Sequence, residues 1–248
     1  MKKIVVFLIL ITITACMNNK KLLVIGHRGA MGHETENTIP SIKKALELNV
    51  DMIEIDVFKI ATGEIVVFHD DTVERLTNGS GNIEDYTWEE LQKLNVTGGH
   101  KIPLLTDVIE VINRKVPLNI ELKGAGTAKD VNAILKKYID EKGWKLKDFL
   151  ISSFNWNELK IMRESNAKID IAVLIENEDP LEALPLAKEL HAVAINPDFE
   201  KLNLENANQI REAGFKIFPW TVNEEQAILE MKRIGVDGIF TNYPERIK

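Results

Sequence analysis

Four short segments in the first half of the chain combine histidines, carboxylates and cations: His27-Arg28-Gly29, Glu54-Ile55-Asp56, His69-Asp70 and Glu121-Leu122-Lys123. Each one closes a short apolar run of the kind that forms a β-strand. Histidines can move protons near neutral pH, carboxylates bind hard divalent cations, and Arg28 and Lys123 can bind phosphate. Together these residue types predict the cleavage of a phosphate ester.

Three of the carboxylates predict a divalent metal site. Residues two apart in a strand face the same side, so Glu54 and Asp56 project together, as do Glu121 and Lys123. Acidic pairs also occur on solvated sheet edges, but here apolar residues fill the opposite face, and buried charges without a function would be costly. All-oxygen ligands select a hard ion. We therefore expect Ca²⁺ or Mg²⁺ at Glu54, Asp56 and Glu121.

The two histidines of these segments, His27 and His69, are predicted to be the catalytic pair. One can take a proton from an attacking hydroxyl while the other protonates the leaving alcohol, and the sequence leaves open which does which. A single histidine at a strand end is more often a packing or capping residue, but two beside a carboxylate cluster favour catalysis. The other three histidines lack such neighbours and are expected in loops or on the surface: His33, His100 and His191.

Apolar runs alternate with amphipathic helical patterns along the chain, which indicates βα units. Eight such runs in a chain of this length favour an α/β fold of the (β/α)₈ TIM-barrel class, whose reactive residues lie at the carboxyl ends of the strands. A ninth run, residues 65–69, follows a turn signal so closely that we expect a hairpin with the second strand. The eight runs cover residues 22–26, 52–58, 118–122, 149–153, 169–175, 192–196, 216–221 and 238–241.

The stretch of residues 70–103 fits the barrel pattern poorly. It is rich in turn residues and has one short helical pattern, residues 88–94, so it is predicted to be a small insertion over one rim, after the second strand. A helix over residues 105–114, with Thr106 as its N-cap, is expected to return the chain to the third barrel strand. Few residues follow the last strand, so the eighth helix should be short or missing.

The N-terminus has the pattern of a secretory signal, with two lysines before an apolar run that ends in small residues. Ile13-Thr14-Ala15-Cys16 resembles a bacterial lipobox, which predicts a lipoprotein signal over residues 1–15, a lipidated Cys16 with a short linker to residue 21, and a folded domain over residues 22–248. The alternative is an ordinary cleaved signal with an incidental cysteine. A lipid anchor would hold the protein to a membrane of the bacterial cell envelope, at its periplasmic face or in the outer membrane.

Charge and cysteine content narrow the classes of partner. The formal net charge is −7, and it becomes −9 once the two lysines of the signal are removed, which argues against nucleic acid as a general partner. The single cysteine excludes an internal disulfide. The sequence leaves the oligomeric state open.

The ordered set of motifs resembles the glycerophosphodiester phosphodiesterase family. The matching elements run through the chain in family order: His27-Arg28-Gly29, Glu36-Asn37-Thr38, Glu54-x-Asp56, His69-Asp70, Ile102-Pro103, Glu121-x-Lys123, Trp220-Thr221-Val222-Asn223, Asp237-Gly238 and Thr241-Asn242-x-Pro244. The resemblance implies a (β/α)₈ barrel with a small insertion after the second strand, a two-histidine mechanism, and Ca²⁺ or Mg²⁺ on the three acids. One position departs, because Thr35 stands where the family usually has proline, which predicts a looser loop with unchanged chemistry.

The implied reaction is hydrolysis of a glycerophosphodiester to an alcohol and sn-glycerol 3-phosphate, by direct attack of water or through a cyclic phosphate. Trp220 is expected to form an apolar wall for the glycerol carbons, and Phe154 and Trp156 to line the same mouth. Asn37 is expected to orient His27 or the metal-binding acids, or else to cap the following helix.

Two other functions remain open at this stage. A lysophospholipase D or sphingomyelinase D type of activity would use a similar set of histidines and acids. A catalytically silent module that binds phosphodiesters is the alternative from another class, although every expected reacting position is filled.

Overall fold

The computed structural model describes residues 21–176 and 179–247. The predicted signal, the lipobox and Cys16 lie outside the described residues. Within these two ranges, no helix has both the length and the apolar character needed to cross a membrane.

Strands and helices alternate along the described residues, except where β3 follows β2 and where α3 follows α2. The described residues form nine strands, which are β1 (Leu23–Gly26), β2 (Met52–Lys59), β3 (Ile65–Val67), β4 (Leu118–Leu122), β5 (Phe149–Ser153), β6 (Asp170–Ile175), β7 (Ala194–Pro197), β8 (Lys216–Ile217) and β9 (Gly238–Thr241). The eight α-helices of the described ranges are α1 (Ile39–Glu47), α2 (Trp88–Lys93), α3 (Leu105–Ile112), α4 (Thr127–Lys142), α5 (Trp156–Ser165), α6 (Leu184–Glu189), α7 (Leu204–Glu212) and α8 (Glu225–Ile234).

Eight parallel strands form a nearly closed barrel in the order β8-β7-β6-β5-β4-β2-β1-β9. Backbone hydrogen bonds complete the circle between the segments of β8 and β9, from Asp237 N to Ile217 O (3.0 Å), from Phe240 N to Pro219 O (3.1 Å) and from Val222 N to Phe240 O (2.9 Å). This confirms the predicted (β/α)₈ class. Among the described residues, which end at 247, the chain after β9 forms a 3₁₀ turn, Pro244–Arg246, and no α-helix, in agreement with the prediction that the eighth barrel helix is short or missing.

Strand β8 is shorter than the predicted run of residues 216–221. Pro219 interrupts the regular ladder because it has no N–H to donate. The chain nevertheless continues beside β7, since Phe218 N donates to Ile195 O (3.2 Å) and Trp220 N donates to Pro197 O (3.1 Å). Trp220 is therefore carried to the rim at the carboxyl end of the barrel.

Alternation along the strands separates two apolar layers. The outward residues of β2, such as Ile53 and Ile55, pack with the helices in the main hydrophobic core. The inward apolar residues fill the lumen, and the last of them also reaches the cavity at the carboxyl end: Ile25, Leu150, Ala172, Ala194, Phe218 and Phe240. The barrel interior is thus filled with apolar side chains, and it becomes polar at the carboxyl end of the strands.

The insertion, residues 70–103, packs on an apolar cluster of its own. Strand β3 pairs antiparallel with β2, with Val57 opposite Val67, which confirms the hairpin. The cluster joins residues of this hairpin to the insertion: Phe58, Ile60, Val66, Phe68, Val73, Ile83, Leu91, Val96 and Ile102.

The predicted N-cap of α3 was wrong. Thr106 lies inside the helix, whose N-cap is Leu104. The Asp107 carboxylate accepts a hydrogen bond from Leu104 N (3.0 Å), because a carboxylate in the first turn can satisfy a free N–H and favours the positive end of the helix dipole.

Candidate active site

Strand register brings the three predicted metal-binding acids together. Asp56 of β2 lies directly opposite Glu121 of β4 in the parallel ladder, and Glu54 lies two residues earlier on the same face of β2. One oxygen from each carboxylate lies within 4.8 Å of the others, and all three residues are buried. We call Glu54, Asp56 and Glu121 the acid triad.

The acid triad fits a hard divalent cation. Burial, with Asp56 and Glu121 nearby, raises the pKa of Glu54 well above its usual value. Burial and Asp56 also raise the pKa of Glu121 to about 8, although Lys123 opposes the shift. Glu54 Oε1 is buried and accepts no hydrogen bond from the described residues. An ion bound by these oxygens would relieve the repulsion and give this atom a partner.

Asn37 holds one acid of the triad in place. Its Nδ2 donates to Asp56 Oδ2 (2.8 Å), and its Oδ1 accepts from Asp56 N (3.3 Å). The alternative use as a helix cap is wrong, because the N-cap of α1 is Thr38, whose hydroxyl accepts from Ser41 N.

The loop after β1 places Arg28 against the acid triad. Arg28 has a φ of 50°, and its N–H donates to Glu54 Oε2 (2.8 Å). Its Nη1 donates to Glu36 Oε1 (2.6 Å), and its Nε lies 3.4 Å from Asp56 Oδ2. Burial alone would lower the pKa of Arg28, but Asp56, Glu36 and Glu54 outweigh it and raise the pKa. The loop turns tightly at Gly29 (φ 87°), where an added Cβ would lie 2.5 Å from Ser41 Oγ.

His27 is oriented by a neutral amide. Its Nδ1 lies 2.7 Å from Asn242 Oδ1, and because an amide oxygen only accepts, Nδ1 carries the hydrogen. Its Nε2 is then left with a lone pair. Burial and the charge of Arg28 lower the pKa of His27 to about 4, so the ring is neutral at pH 7.

His69 is oriented by a carboxylate. Its Nδ1 lies 2.6 Å from Asp70 Oδ1, and its Nε2 lies 3.3 Å from Lys123 Nζ. Burial would raise the pKa of Asp70, but Arg75 and His69 lower it to about 2, so this carboxylate is ionised. Lys123 Nζ also lies 3.3 Å from Glu121 Oε1, which ties His69 to the acid triad.

Sequence reasoning missed Arg75, which lies in the insertion. Its guanidinium binds Asp70 and Glu36, with N···O distances of 2.5 to 2.9 Å. The residues around Arg75 form no motif that would predict a functional role. The only available signal is a positive charge a short distance after His69-Asp70. Glu36 and Asn242 belong to the motifs quoted above, but the sequence assigned neither a role. In the structure Glu36 pairs with Arg28 and Arg75, and Asn242 contacts His27.

A cavity of about 450 Å³ opens at the carboxyl end of the barrel. Phe154 and Trp220 meet there edge to face, with ring centroids 5.2 Å apart, and the indole N–H of Trp220 donates to Asn196 O (2.9 Å). Trp156 does not line this mouth as predicted, because its indole donates to Leu174 O (3.0 Å) and its ring packs on the core. The lining comprises His27, Arg28, Glu54, His69, Glu121, Lys123, Ser152, Phe154, Leu174, Glu176, Trp220, Thr221 and Phe240.

The three remaining histidines lie outside this cavity. His33 pairs with Glu245 (3.0 Å) and meets the ring of Tyr243 edge to face.

Thr35, the position that departs from the family pattern, donates a hydrogen bond from its hydroxyl to Thr97 O (3.0 Å). That hydrogen bond, which a proline could not make, joins the loop after β1 to the insertion.

A (β/α)₈ barrel that gathers buried acids, two histidines and two cations at the carboxyl end of its strands defines a hydrolase of phosphate esters. Residues 27–246 match the model of the glycerophosphoryl diester phosphodiesterase family. The chain belongs to this family, and it is an enzyme.

Named relatives agree with this assignment. The chain is 36% identical to a glycerophosphodiester phosphodiesterase of Caldanaerobacter subterraneus, over 92% of this chain and 96% of the relative. It is 34% identical to the putative glycerophosphodiester phosphodiesterase YhdW of Bacillus subtilis, over 91% and 96%. Among solved structures, an Oleispira antarctica phosphodiesterase in complex with the product sn-glycerol-3-phosphate is 29% identical, with a TM-score of 0.83 over 91% of this chain and 94% of that one.

Proposed function

We propose that this enzyme hydrolyses glycerophosphodiesters to an alcohol and sn-glycerol 3-phosphate, with the acid triad holding the metal and His27 and His69 transferring the protons. The observation that carries the proposal is that both histidines line one cavity with Glu54 and Glu121, the acids that Asp56 completes as the acid triad. The product bound to the Oleispira antarctica relative supports the substrate class.

The two histidines take different roles because their partners differ. Behind His27 lies the neutral amide of Asn242, and burial together with the nearby charge of Arg28 keeps the ring neutral, so its Nε2 lone pair serves as the base. Behind His69 lies the Asp70 carboxylate, which accepts a hydrogen bond from Nδ1 and directs Nε2 into the cavity, so we assign His69 as the acid for the leaving alcohol.

Arg28 and Lys123 bind the phosphate oxygens in this proposal. Both line the cavity beside the acid triad, and the planar guanidinium offers a fork while the ammonium offers a point charge. A bound Ca²⁺ or Mg²⁺ would supply the balancing charge for the acid triad and for phosphate oxygens. Trp220, with Phe154 at its edge, forms the apolar wall for the glycerol carbons.

The N-terminus suggests where the enzyme works. We propose that Cys16 carries a lipid and that residues 1–15 are removed, which holds the domain at a membrane of the cell envelope. Inhibition of lipoprotein signal peptidase should then leave a longer, unlipidated precursor. Unchanged processing would refute the anchor while leaving the enzymatic proposal intact.

The direct test is release of glycerol 3-phosphate from glycerophosphocholine by the domain without its N-terminal signal. Release should stop with EDTA and return with Ca²⁺ or Mg²⁺. His27→Ala and His69→Ala should each lower kcat by roughly 10² to 10⁴ while keeping the fold. Full activity in either variant would remove that histidine from the mechanism, and release in EDTA would remove the metal.

A lysolipid substrate is the second candidate, and one observation favours it. Phe154 at the cavity mouth has 38% of its surface exposed, so it can contact an apolar chain outside the barrel. Lysophosphatidylcholine should be compared with glycerophosphocholine in the same assay. Faster turnover of the lysolipid would overturn the proposed substrate, and turnover of neither by folded, metal-loaded protein would indicate a binding module.

A further inference from the structure

A chain of ion pairs runs from the acid triad to the insertion. Arg28 contacts Glu54 and Asp56 at one end, and Glu36 lies between Arg28 and Arg75. We propose that Arg75 is a positioning residue that fixes Asp70 and, through Asp70, the ring of His69. This inference rests on the proposed role of His69.

Arg75 grips two carboxylates at once. Its Nε and Nη2 donate to Asp70 Oδ2 (2.5 Å) and Oδ1 (2.9 Å). Its Nη1 and Nη2 donate to Glu36 Oε2 and Oε1, each at 2.8 Å. Four of the five N–H groups of a guanidinium are used in this way. Such paired, charge-assisted bonds fix orientation as well as distance.

The far carboxylate is a rigid anchor. The side chain of Glu36 is only 5% exposed, and its Oε1 also accepts from Arg28 Nη1 (2.6 Å). Arg28 in turn is fixed to the barrel, because its N–H donates to Glu54 Oε2. Arg75 therefore connects Asp70 to a residue that the barrel itself holds.

Asp70 alone would fix the orientation of the His69 ring poorly. It is adjacent to His69 in the chain, its side chain is 24% exposed, and it lies where the insertion begins. With both its oxygens held by Arg75, Oδ1 is fixed 2.6 Å from His69 Nδ1. This keeps the hydrogen on Nδ1 and aims Nε2 at the cavity.

Arg75 acts at a distance from the substrate. It is not among the described residues that line the cavity, and its side chain is 48% exposed on the outer side of the network. Its removal should therefore slow the chemical step more than it weakens substrate binding.

The first experiment compares Arg75→Ala and Arg75→Lys with the wild-type enzyme in full metal-loaded form. Arg75→Ala should lower kcat roughly 10- to 100-fold with KM within about twofold, since an orienting partner usually matters to this extent. Arg75→Lys should recover little, because one ammonium cannot bind two carboxylates in pairs. Added guanidinium should partly restore Arg75→Ala, since the site is open to solvent. Arg233→Ala, which removes an exposed pair with Glu230 on α8, is the matched control and should keep full activity.

A double-variant cycle tests the route through Asp70. If Arg75 acts only through that carboxylate, Asp70→Asn with Arg75→Ala should be no slower than Asp70→Asn alone. Additive losses, a change in KM alone, or an unaffected kcat would overturn the proposal. Arg75→Gln is used in place of Arg75→Ala if the latter fails to fold.

A readout independent of activity separates this inference from the proposed function. The ¹⁵N spectrum of the His69 ring reports which nitrogen carries the hydrogen. Recorded at a pH where the ring is neutral, it should show a single Nδ1–H form in the wild-type protein and a mixture in the Arg75 variant. The same spectrum in both would refute the positioning role even if the protein proved inactive on glycerophosphodiesters. A shifted spectrum with no turnover in the wild type would refute only the proposed function.

Discussion

Asn37 and Asp56 exchange two hydrogen bonds, one through each end of the amide group. Asn37 lies in the loop after β1 with a φ of 56°, a left-handed conformation that asparagine tolerates better than most residues. The amide thereby fixes both the backbone and the carboxylate of Asp56, which is the central acid of the triad. Metal affinity should depend on this residue because it orients a carboxylate of the acid triad.

Substitution of Asn37 should weaken the metal site and the fold by separable amounts. Asn37→Gly keeps the left-handed backbone but loses both bonds, and it should weaken Ca²⁺ or Mg²⁺ binding roughly 10- to 100-fold. Asn37→Ala should weaken binding equally and cost about 1 kcal/mol more in stability, because alanine is strained at this φ. Calorimetric titration and thermal unfolding measure the two effects. Unchanged affinity in both variants would contradict the orienting role.

Metal binding should release protons at neutral pH. The pKa of Glu121 is raised to about 8, so this carboxyl group is largely protonated at pH 7 before the ion binds, and burial also raises the pKa of Glu54 above its usual value. Carboxylates must lose their protons to bind a cation. Titration in two buffers of different ionisation enthalpy should show at least about one proton released per ion. Glu121→Gln should reduce that number, and no buffer dependence in the wild type would contradict the raised pKa of Glu121.

The metal-free protein should lose stability as pH rises from about 6.5 to about 8. Glu121 keeps its proton in the folded state up to about pH 8, whereas the unfolded chain releases it near pH 4.5. The folded state therefore binds more protons in this range, and stability falls with rising pH. Between pH 4 and 6.5 the lowered pKa of His27 acts in the opposite direction, which is why the upper window is the clear one. Unfolding in EDTA measures the fall, and saturating Ca²⁺ should abolish it.

Strand alternation was enough to predict the face on which the acids lie. Glu54 and Asp56 alternate with fully buried isoleucines, so a buried strand in a barrel had to direct the acids inward. Which residue of β4 lies opposite Asp56 could not be predicted, because register is set by packing between strands that are distant in sequence. The pairing of Asp56 with Glu121 is therefore set by tertiary packing and not by the local sequence.

The same limit explains Arg75 and Trp156. The contacts of Arg75 with Glu36 and Asp70 depend on how the insertion folds back, and no local pattern encodes that path. Trp156 follows a strand as Phe154 does, but it is the first residue of α5 and turns toward the core. Whether an aromatic residue near a strand end lies in the site or in the core thus depends on the geometry of the following helix.

Removal of the Glu36 charge should lower the free energy of unfolding at neutral pH but not in acid. Burial alone would raise the pKa of Glu36, but Arg75 and Arg28 lower it to about 2, against about 4.5 in the unfolded chain. Its contribution to stability is complete above about pH 4.5 and is lost as pH falls toward 2. Glu36→Gln should cost about 2 kcal/mol at pH 7, a value reduced because Arg75 is half exposed. Chemical unfolding should show the difference shrinking between pH 4.5 and 2, and a constant difference would contradict the ion-pair assignment.

Phe154 should contribute to substrate binding and little to the chemical step or the fold. Its ring lies edge to face against Trp220 and 6.0 Å from Lys123 Nζ, so it closes the apolar side of the cavity. Phe154→Ala should raise KM for glycerophosphocholine roughly 3- to 10-fold with kcat nearly unchanged, since loss of an apolar contact removes binding that is equal in substrate and transition state. Leu229→Ala on α8, also exposed, is the matched control and should change neither constant. A fall in kcat with KM unchanged would instead mean that Phe154 supports Lys123 in the reaction rather than the wall of the site.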